Sequence, residues 1–248
     1  MRCFASLLLV ALCTGCGFVR ITRTPMGSVD YRVQGPERAR GVIVLLPGFG
    51  DRPSAFADHE FVAALSETTG LDIIAADAHF GYYRKGSITT RLHEDVIEPL
   101  RARGYREIWL AGTSMGGIGA VGYARRHPDR VRGVFLLAPY MGPREVVQEV
   151  AASGLCKWQG HAGKEEDVES FARANFVWLR EQACVKREVS LYLGVGSEDR
   201  LLRPDSVLGT VLPASHFLVL PGGHGWKVWT PAITKLAATA FDSTEVRY

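Results

Sequence analysis

The chain has 248 residues, a formal net charge of +3 and 47% hydrophobic residues. That length and apolar content fit a globular α/β domain with a sizeable core, and they exclude a disordered or fibrous chain. The basic residues are scattered, with no basic stripe interleaved with aromatics, which argues against a nucleic-acid partner.

Residues 1–17, MRCFASLLLVALCTGCG, carry Arg2, an apolar run from Phe4 to Leu12, and small residues before a cysteine. This is the order of a secretory signal, and the run is short for a bilayer span. Its end, Cys13 to Cys16, resembles the lipobox of bacterial lipoproteins. The resemblance implies removal of residues 1–15, a lipid on Cys16, and a mature chain 16–248 anchored at the bacterial envelope and facing the periplasm. Gly17 after Cys16, in place of Asp, favours the outer membrane by the same analogy. A plain cleaved signal peptide or an uncleaved anchor is the alternative. Of five cysteines, Cys3 and Cys13 leave with the signal. Cys156 and Cys184 are then a pair in an oxidising compartment, expected to form a disulfide, with two buried free thiols as the alternative.

Residues 18–34 read as two antiparallel edge strands. Then come short apolar runs rich in branched aliphatics: 41–47, 71–78, 107–113, 131–139, 189–196 and 216–221. Near-continuous apolarity predicts strands buried on both faces, as in a parallel sheet. Helical patterns lie between them. Leu92, Val96, Ile97 and Leu100 share one face, and Trp229, Ile233, Leu236, Ala237 and Ala240 another. This alternation predicts an α/β fold with right-handed crossovers. Residues 141–187 interrupt it, being too many for one crossover helix. They are expected to form a small helical cap, whose helix within 163–183 has acidic residues in its first turn. Two ordinary packing helices with a long loop are the alternative.

GTSMGG, residues 112–117, sits between a predicted strand and a predicted helix. It matches G-x-S-x-G, a sharp turn that lifts a serine above the sheet edge, where side chains at Gly112 and Gly116 would clash. Ser114 needs a base. His224, in PGGHG after the last predicted strand, lies at the same sheet edge; the other histidines fall in helices, the cap region or the wrong strand end, and His79 precedes Ser114. The third group is Asp199, just past the strand 189–196, with Glu198 as the neighbour that competes for the role. An oxyanion needs backbone N–H groups: that of Met115, and one from PGFGD, assigned to Phe49 with Gly50 as alternative. His79, Tyr82, Tyr83 and Gly50 are expected at the substrate pocket.

These residues together resemble the α/β-hydrolase superfamily, over essentially the whole mature chain. LLPGFG stands where the family has a strand ending in His-Gly, GTSMGG looks like its nucleophile elbow, GSED like its acid loop and PGGH like its histidine loop. The order Ser114, Asp199, His224 is the superfamily's order. The resemblance implies an eight-stranded, mostly parallel sheet flanked by helices, a helical cap, and neither metal nor organic cofactor. It implies a serine hydrolase acting on a small-molecule or lipid carboxylic ester through an acyl-enzyme. Two other readings share the fold: an inactive envelope lipoprotein with a binding role, and a transacylase using the same three residues. The oligomeric state and the acyl group are open.

Overall fold

The computed structural model describes residues 20–32 and 41–242. The signal segment and Cys16 lie outside the described residues. Seven strands form one sheet: β1 (Ser28–Tyr31), β2 (Gly41–Leu46), β3 (Asp72–Ala76), β4 (Glu107–Thr113), β5 (Gly133–Leu137), β6 (Ser190–Gly196) and β7 (Phe217–Leu220), in the spatial order β1-β3-β2-β4-β5-β6-β7. Only β1 runs antiparallel, against β3; every other pairing is parallel. Among the described residues ten α-helices accompany them: α1 (Ala55–Asp58), α2 (Phe61–Thr69), α3 (Phe80–Arg84), α4 (Ile88–Leu92), α5 (Glu98–Ala102), α6 (Met115–Arg126), α7 (Arg144–Ser153), α8 (Val168–Glu181), α9 (Leu202–Gly209) and α10 (Trp226–Phe241).

The strand period divides the core in two. Val42, Val44 and Leu46 of β2 point to one face, where they meet Leu92, Ala120 and Phe176 from α4, α6 and α8. Ile43 and Leu45 point to the other, with Phe61 of α2 and Ile233 of α10. Both faces of the parallel strands are covered, so their sequences read as apolar runs and not as alternation.

Two expectations need correction. The sheet has seven strands among the described residues, not eight, and the lead-in contributes one edge strand, not two. Residues 20–25 instead cross the outside of α3. Arg20 pairs with Asp77 at 2.5 Å, the Arg23 N–H donates to Tyr82 Oη at 3.0 Å, and Lys85 Nζ reaches Thr22 Oγ1 at 2.5 Å. Pro25 has no N–H for a ladder. Side-chain anchoring therefore replaces strand pairing over this stretch.

The helical pattern at 91–104 is continuous but not uniformly α. His93–Ile97 form a π turn between α4 and α5. Pro99 lacks an N–H and crowds the carbonyl four residues back, and a wider turn relieves both defects.

Between β5 and β6, α7 and α8 pack against the core and against each other. Asp167 caps α8, its carboxylate accepting from the Ser170 N–H at 2.8 Å. Asn175 of α8 donates to the Ile118 carbonyl of α6 and accepts from Arg125 Nε. Cys156 and Cys184, 28 residues apart, are joined in a disulfide. Closing a loop of that length stabilises by about 3.5 kcal/mol, chiefly by restricting the unfolded chain. The Cys156→Ser/Cys184→Ser variant is accordingly expected to melt several degrees lower in a calorimetric scan.

Candidate active site

Ser114 stands between β4 and α6 with φ 49° and ψ −116°, a conformation that L residues rarely adopt. Its backbone is pinned on several sides. The Ser114 N–H donates to the Leu137 carbonyl at 2.9 Å, and the Ser114 carbonyl accepts from Tyr140 at 2.8 Å and Gly117 at 3.0 Å. The two glycines of the motif are required by close approach. A Cβ on Gly112 would lie 2.5 Å from the Gly116 carbonyl, and one on Gly116 would lie 2.0 Å from the Leu46 oxygen. The turn thus presses the start of α6 onto the end of β2, and the Ser114 side chain is left pointing out of the sheet edge.

His224 follows β7 and comes to this edge. Its Nε2 lies 2.9 Å from Ser114 Oγ, and its Nδ1 lies 2.8 and 3.0 Å from the two Asp199 oxygens. The Asp199 side chain is fully buried, and its Oδ1 also accepts from the Leu201 N–H at 2.8 Å. This environment sets the tautomer. Nδ1–H donates to the carboxylate, which leaves the Nε2 lone pair to accept the serine proton. Trp229 meets the imidazole edge-on at 5.0 Å. The Glu198 N–H donates to the Gly222 carbonyl at 2.9 Å, tying the acid loop to the histidine loop, while its carboxylate lies outside the chain of hydrogen bonds. Of the two neighbouring acids, geometry therefore brings Asp199 to the histidine.

Met115 opens α6, where the helix provides no acceptor for its N–H. The loop after β2 lies alongside: a Cβ on Gly48 would sit 3.5 Å from Ser114 Cβ. Phe49, the next residue, stands edge-on to Phe80 with ring centroids 5.2 Å apart. Asp51, which sequence reasoning passed over, is in the same loop; burial raises its carboxyl above the ordinary range, while His59 and His224 pull it down.

A cavity of about 950 Å³ opens beside Ser114. Its apolar walls include Phe49 after β2, Phe80 and Tyr83 of α3, Ile118 of α6 and Phe171 of α8, and the charged residues Arg84, Arg126, Glu165, Glu166, Asp167 and Arg200 also line it. Two small residues on α6 admit the rings. A Cβ on Gly119 would collide with Tyr83, and one on Gly122 with Phe171. Of the four residues expected at the pocket, Tyr83 lines it, and burial pushes its phenol well above the usual range. His79 and Tyr82 do not reach it. His79 is buried as the cap of α3, its Nδ1 accepting from the Gly81 N–H at 3.1 Å, and the Tyr82 hydroxyl donates to the Arg23 carbonyl. Successive helical residues differ by about 100° in direction, so Tyr82 and Tyr83 cannot share a wall. Gly50, at φ 87°, forms the turn after β2 and does not line the cavity. Among the described residues no group of three or more His, Cys, Asp or Glu gathers to hold a metal ion.

A further acid, unremarked in the sequence, lies behind the site. Asp205 of α9 is 0% exposed, and neither carboxyl oxygen has a hydrogen-bond partner among the described residues. Burial first, and then the Asp199 charge, raise its carboxyl far above the usual range. The folded protein keeps a proton there that the unfolded chain releases above about pH 4. Its contribution is therefore most favourable at low pH and is lost as pH rises toward the folded value. Asp205→Asn, neutral at every pH, is expected to melt higher than wild type, with a gap that widens from pH 4 to pH 8. The gap should grow by at most about 1.4 kcal/mol per pH unit, the linkage of the one proton that the wild type takes up on folding.

The Esterase family matches residues 82–239, well over half of the chain. A search of the curated proteins finds no match. Among solved structures, a ferulic acid esterase superposes with a TM-score of 0.61 at 18% identity, covering 88% of this chain and 98% of that one. A monoacylglycerol lipase from Paleococcus ferrophilus gives 0.55 at 16%, covering 86% and 98%. The carboxylesterase CesB (YbfK) from Bacillus subtilis gives 0.54 at 16%, covering 90% and 94%. At these identities the structures speak for the fold, and the family match speaks for the class of enzyme. The chain belongs to the Esterase family and is an enzyme of the α/β-hydrolase fold.

Proposed function

We propose that the protein is a serine carboxylic-ester hydrolase working through an acyl-enzyme. The observation that carries this reading is the unbroken hydrogen-bond chain from Ser114 Oγ through the His224 imidazole to the buried Asp199 carboxylate. Ser114 Oγ attacks the ester carbonyl as Nε2 takes its proton. Asp199 holds the ring and stabilises the imidazolium that forms. The carbonyl oxygen, now negative, meets the N–H of Met115 and that of Phe49, with the positive end of α6 behind the former. As the tetrahedral adduct collapses, Nε2–H gives its proton to the departing alkoxide. Water then attacks the acyl-enzyme, losing its proton to Nε2, and Ser114 recovers a proton as the acid leaves.

The apolar cavity fits an ester with a sizeable apolar acyl or alkoxy group. The segment 141–187 is read as a cap, because Phe171 of α8 forms part of that cavity wall. The lipid on Cys16 and the envelope location belong to the same proposal and rest on residues 1–17 alone. Activity-based labelling tests the chemistry. A fluorophosphonate is expected to add once, on the peptide carrying Ser114, as read by mass spectrometry. Folded protein that stays unlabelled while hydrolysing no ester in a chain-length panel would refute the proposal.

A further inference from the structure

The cavity beside Ser114 runs along α6. Ser114 and Met115 stand at one end, Ile118 follows about a turn later, and Arg126, the last residue of the helix, lines the other end. From Met115 to Arg126 the axis rises about 16 Å, at roughly 1.5 Å per residue. Between the ends the wall is apolar, with Tyr83 seated on Gly119 and Phe171 on Gly122. One arm of the ester belongs there, and proton transfer decides which. The carbonyl oxygen turns to the Met115 N–H, and Met115 lines the cavity. The departing alkoxide takes its proton from His224 Nε2, and His224 does not line it. The alkoxy arm therefore lies on the histidine side, and the acyl arm enters the cavity.

The far end is charged and tied. Glu165, in the loop before α8, gives one carboxylate oxygen to each of two neighbouring arginines: Oε1 lies 2.8 Å from Arg125 and Oε2 lies 2.5 Å from Arg126. Arg125 Nε also donates to Asn175 Oδ1 of α8 at 2.9 Å, and Arg126 donates to Thr89 Oγ1 of α4. Both guanidinium groups lie over the Phe171 ring, 5.6 and 5.5 Å from its centroid. Three helices and the loop thus meet in one knot. The other charged side chains on the wall, Arg84, Glu166, Asp167 and Arg200, are exposed to solvent. An acyl chain lying on the apolar wall leaves water with each methylene. Methylenes beyond the knot must either pry it apart or turn out into water, and neither adds buried apolar area.

We propose that the cavity along α6 is the acyl subsite and that the Arg125–Glu165–Arg126 knot is its stop, setting the longest acyl chain that the protein takes in full. The inference rests on the serine-hydrolase reading and adds a substrate class, esters of medium-length fatty acids. An extended chain advances about 1.2 Å per bond, a third of the roughly 3.6 Å that three backbone bonds span. A wall of about 16 Å, shortened by arginine side chains that lean back toward the start of the helix, takes roughly 8 to 12 carbons.

The test is a chain-length series on the full protein. With p-nitrophenyl esters from butyrate to palmitate, kcat/KM is expected to rise by up to about fourfold for each methylene buried, to peak at roughly 8 to 12 carbons, and to fall beyond. Acetate esters of alcohols of the same lengths should show no break there. Glu165→Ala unties both arginines, and Arg126→Ala removes one side of the stop. Each is expected to raise the palmitoyl-to-octanoyl ratio of kcat/KM by about 10-fold, the worth of nearly two more buried methylenes. Lys164→Ala, in the same loop and outside the cavity wall, should leave the peak in place. Two outcomes in wild type overturn the proposal: kcat/KM that keeps rising through palmitate, and a break in the alkoxy series alone. Folded Glu165→Ala and Arg126→Ala proteins with an unmoved peak also overturn it, as does an equal shift in Lys164→Ala. A second measurement needs no turnover. Fatty-acid methyl amides titrated calorimetrically into Ser114→Ala protein should bind more tightly with length up to the same limit and no tighter past it; affinity that climbs past the limit overturns the stop. Wild type that hydrolyses no ester refutes the hydrolase reading, and the titration still reads the subsite, so the two failures are distinguishable.

Discussion

Ser114→Ala is expected to lower kcat/KM on a chromogenic carboxylic ester by about four to six orders of magnitude, with KM little changed. The reason is local. Among the described residues the Ser114 hydroxyl is the hydrogen-bond partner of His224 Nε2, and on the proposed mechanism it is the nucleophile. Without it, His224 has no serine proton to take, and what remains is rate enhancement from binding and from amide N–H groups. The substitution is conservative for the fold. Ser114 is held by backbone hydrogen bonds to Leu137, Tyr140 and Gly117, which alanine keeps. Wild-type melting together with lost turnover is therefore the expected pair of results. Retained turnover in the purified variant would remove the serine from the chemistry.

The second large effect is on stability. Gly116→Ala places a methyl 2.0 Å from the Leu46 carbonyl oxygen and 2.7 Å from its carbon. Both are backbone atoms of a buried strand paired on each side with β3 and β4, so no side chain can swing aside. The cost falls in the exceptional range for one substitution, about 4 kcal/mol or more, or roughly 10 °C in Tm. Activity should fall with it, because separating α6 from β2 moves Met115 and the loop carrying Phe49 apart. Gly163→Ala is the control: nothing lies within 4 Å of the Cβ it adds. Its Tm should stay within about 2 °C of wild type. A Gly116→Ala protein as stable as that control would contradict the packing of the elbow.

Phe171 and Tyr83 illustrate where the sequence was mute. Nothing in the run 163–183 tells that Phe171 crosses to α6, since its apolar spacing suits any packed helix. The enabling signal was in α6 itself: Gly119 and Gly122, three apart, form one notch on a helix face. Likewise His79, Tyr82 and Tyr83 are neighbours in sequence, and a short helix sends them in different directions. Proximity to the productive sheet edge was legible; which ring enters the cavity was not.

The sequence by itself determined the elements and the chemistry's starting point. Continuous apolar runs of five to seven residues encode strands buried on both faces, because each side chain there meets a covering layer. The glycines around Ser114 encode a contact too close for any Cβ. These are local demands, and a residue's type answers them directly. Tertiary structure alone decided the rest: the replacement of a second edge strand by side-chain anchoring over α3, the choice of Asp199 over Glu198, and the burial of Asp205 behind it. Each depends on where segments distant in sequence come to rest, 25 residues apart for His224 and Asp199 and 110 for His224 and Ser114. A carboxylate held by donors in a loop and a carboxyl buried without one are written with the same letter; only the packing around them tells the two apart.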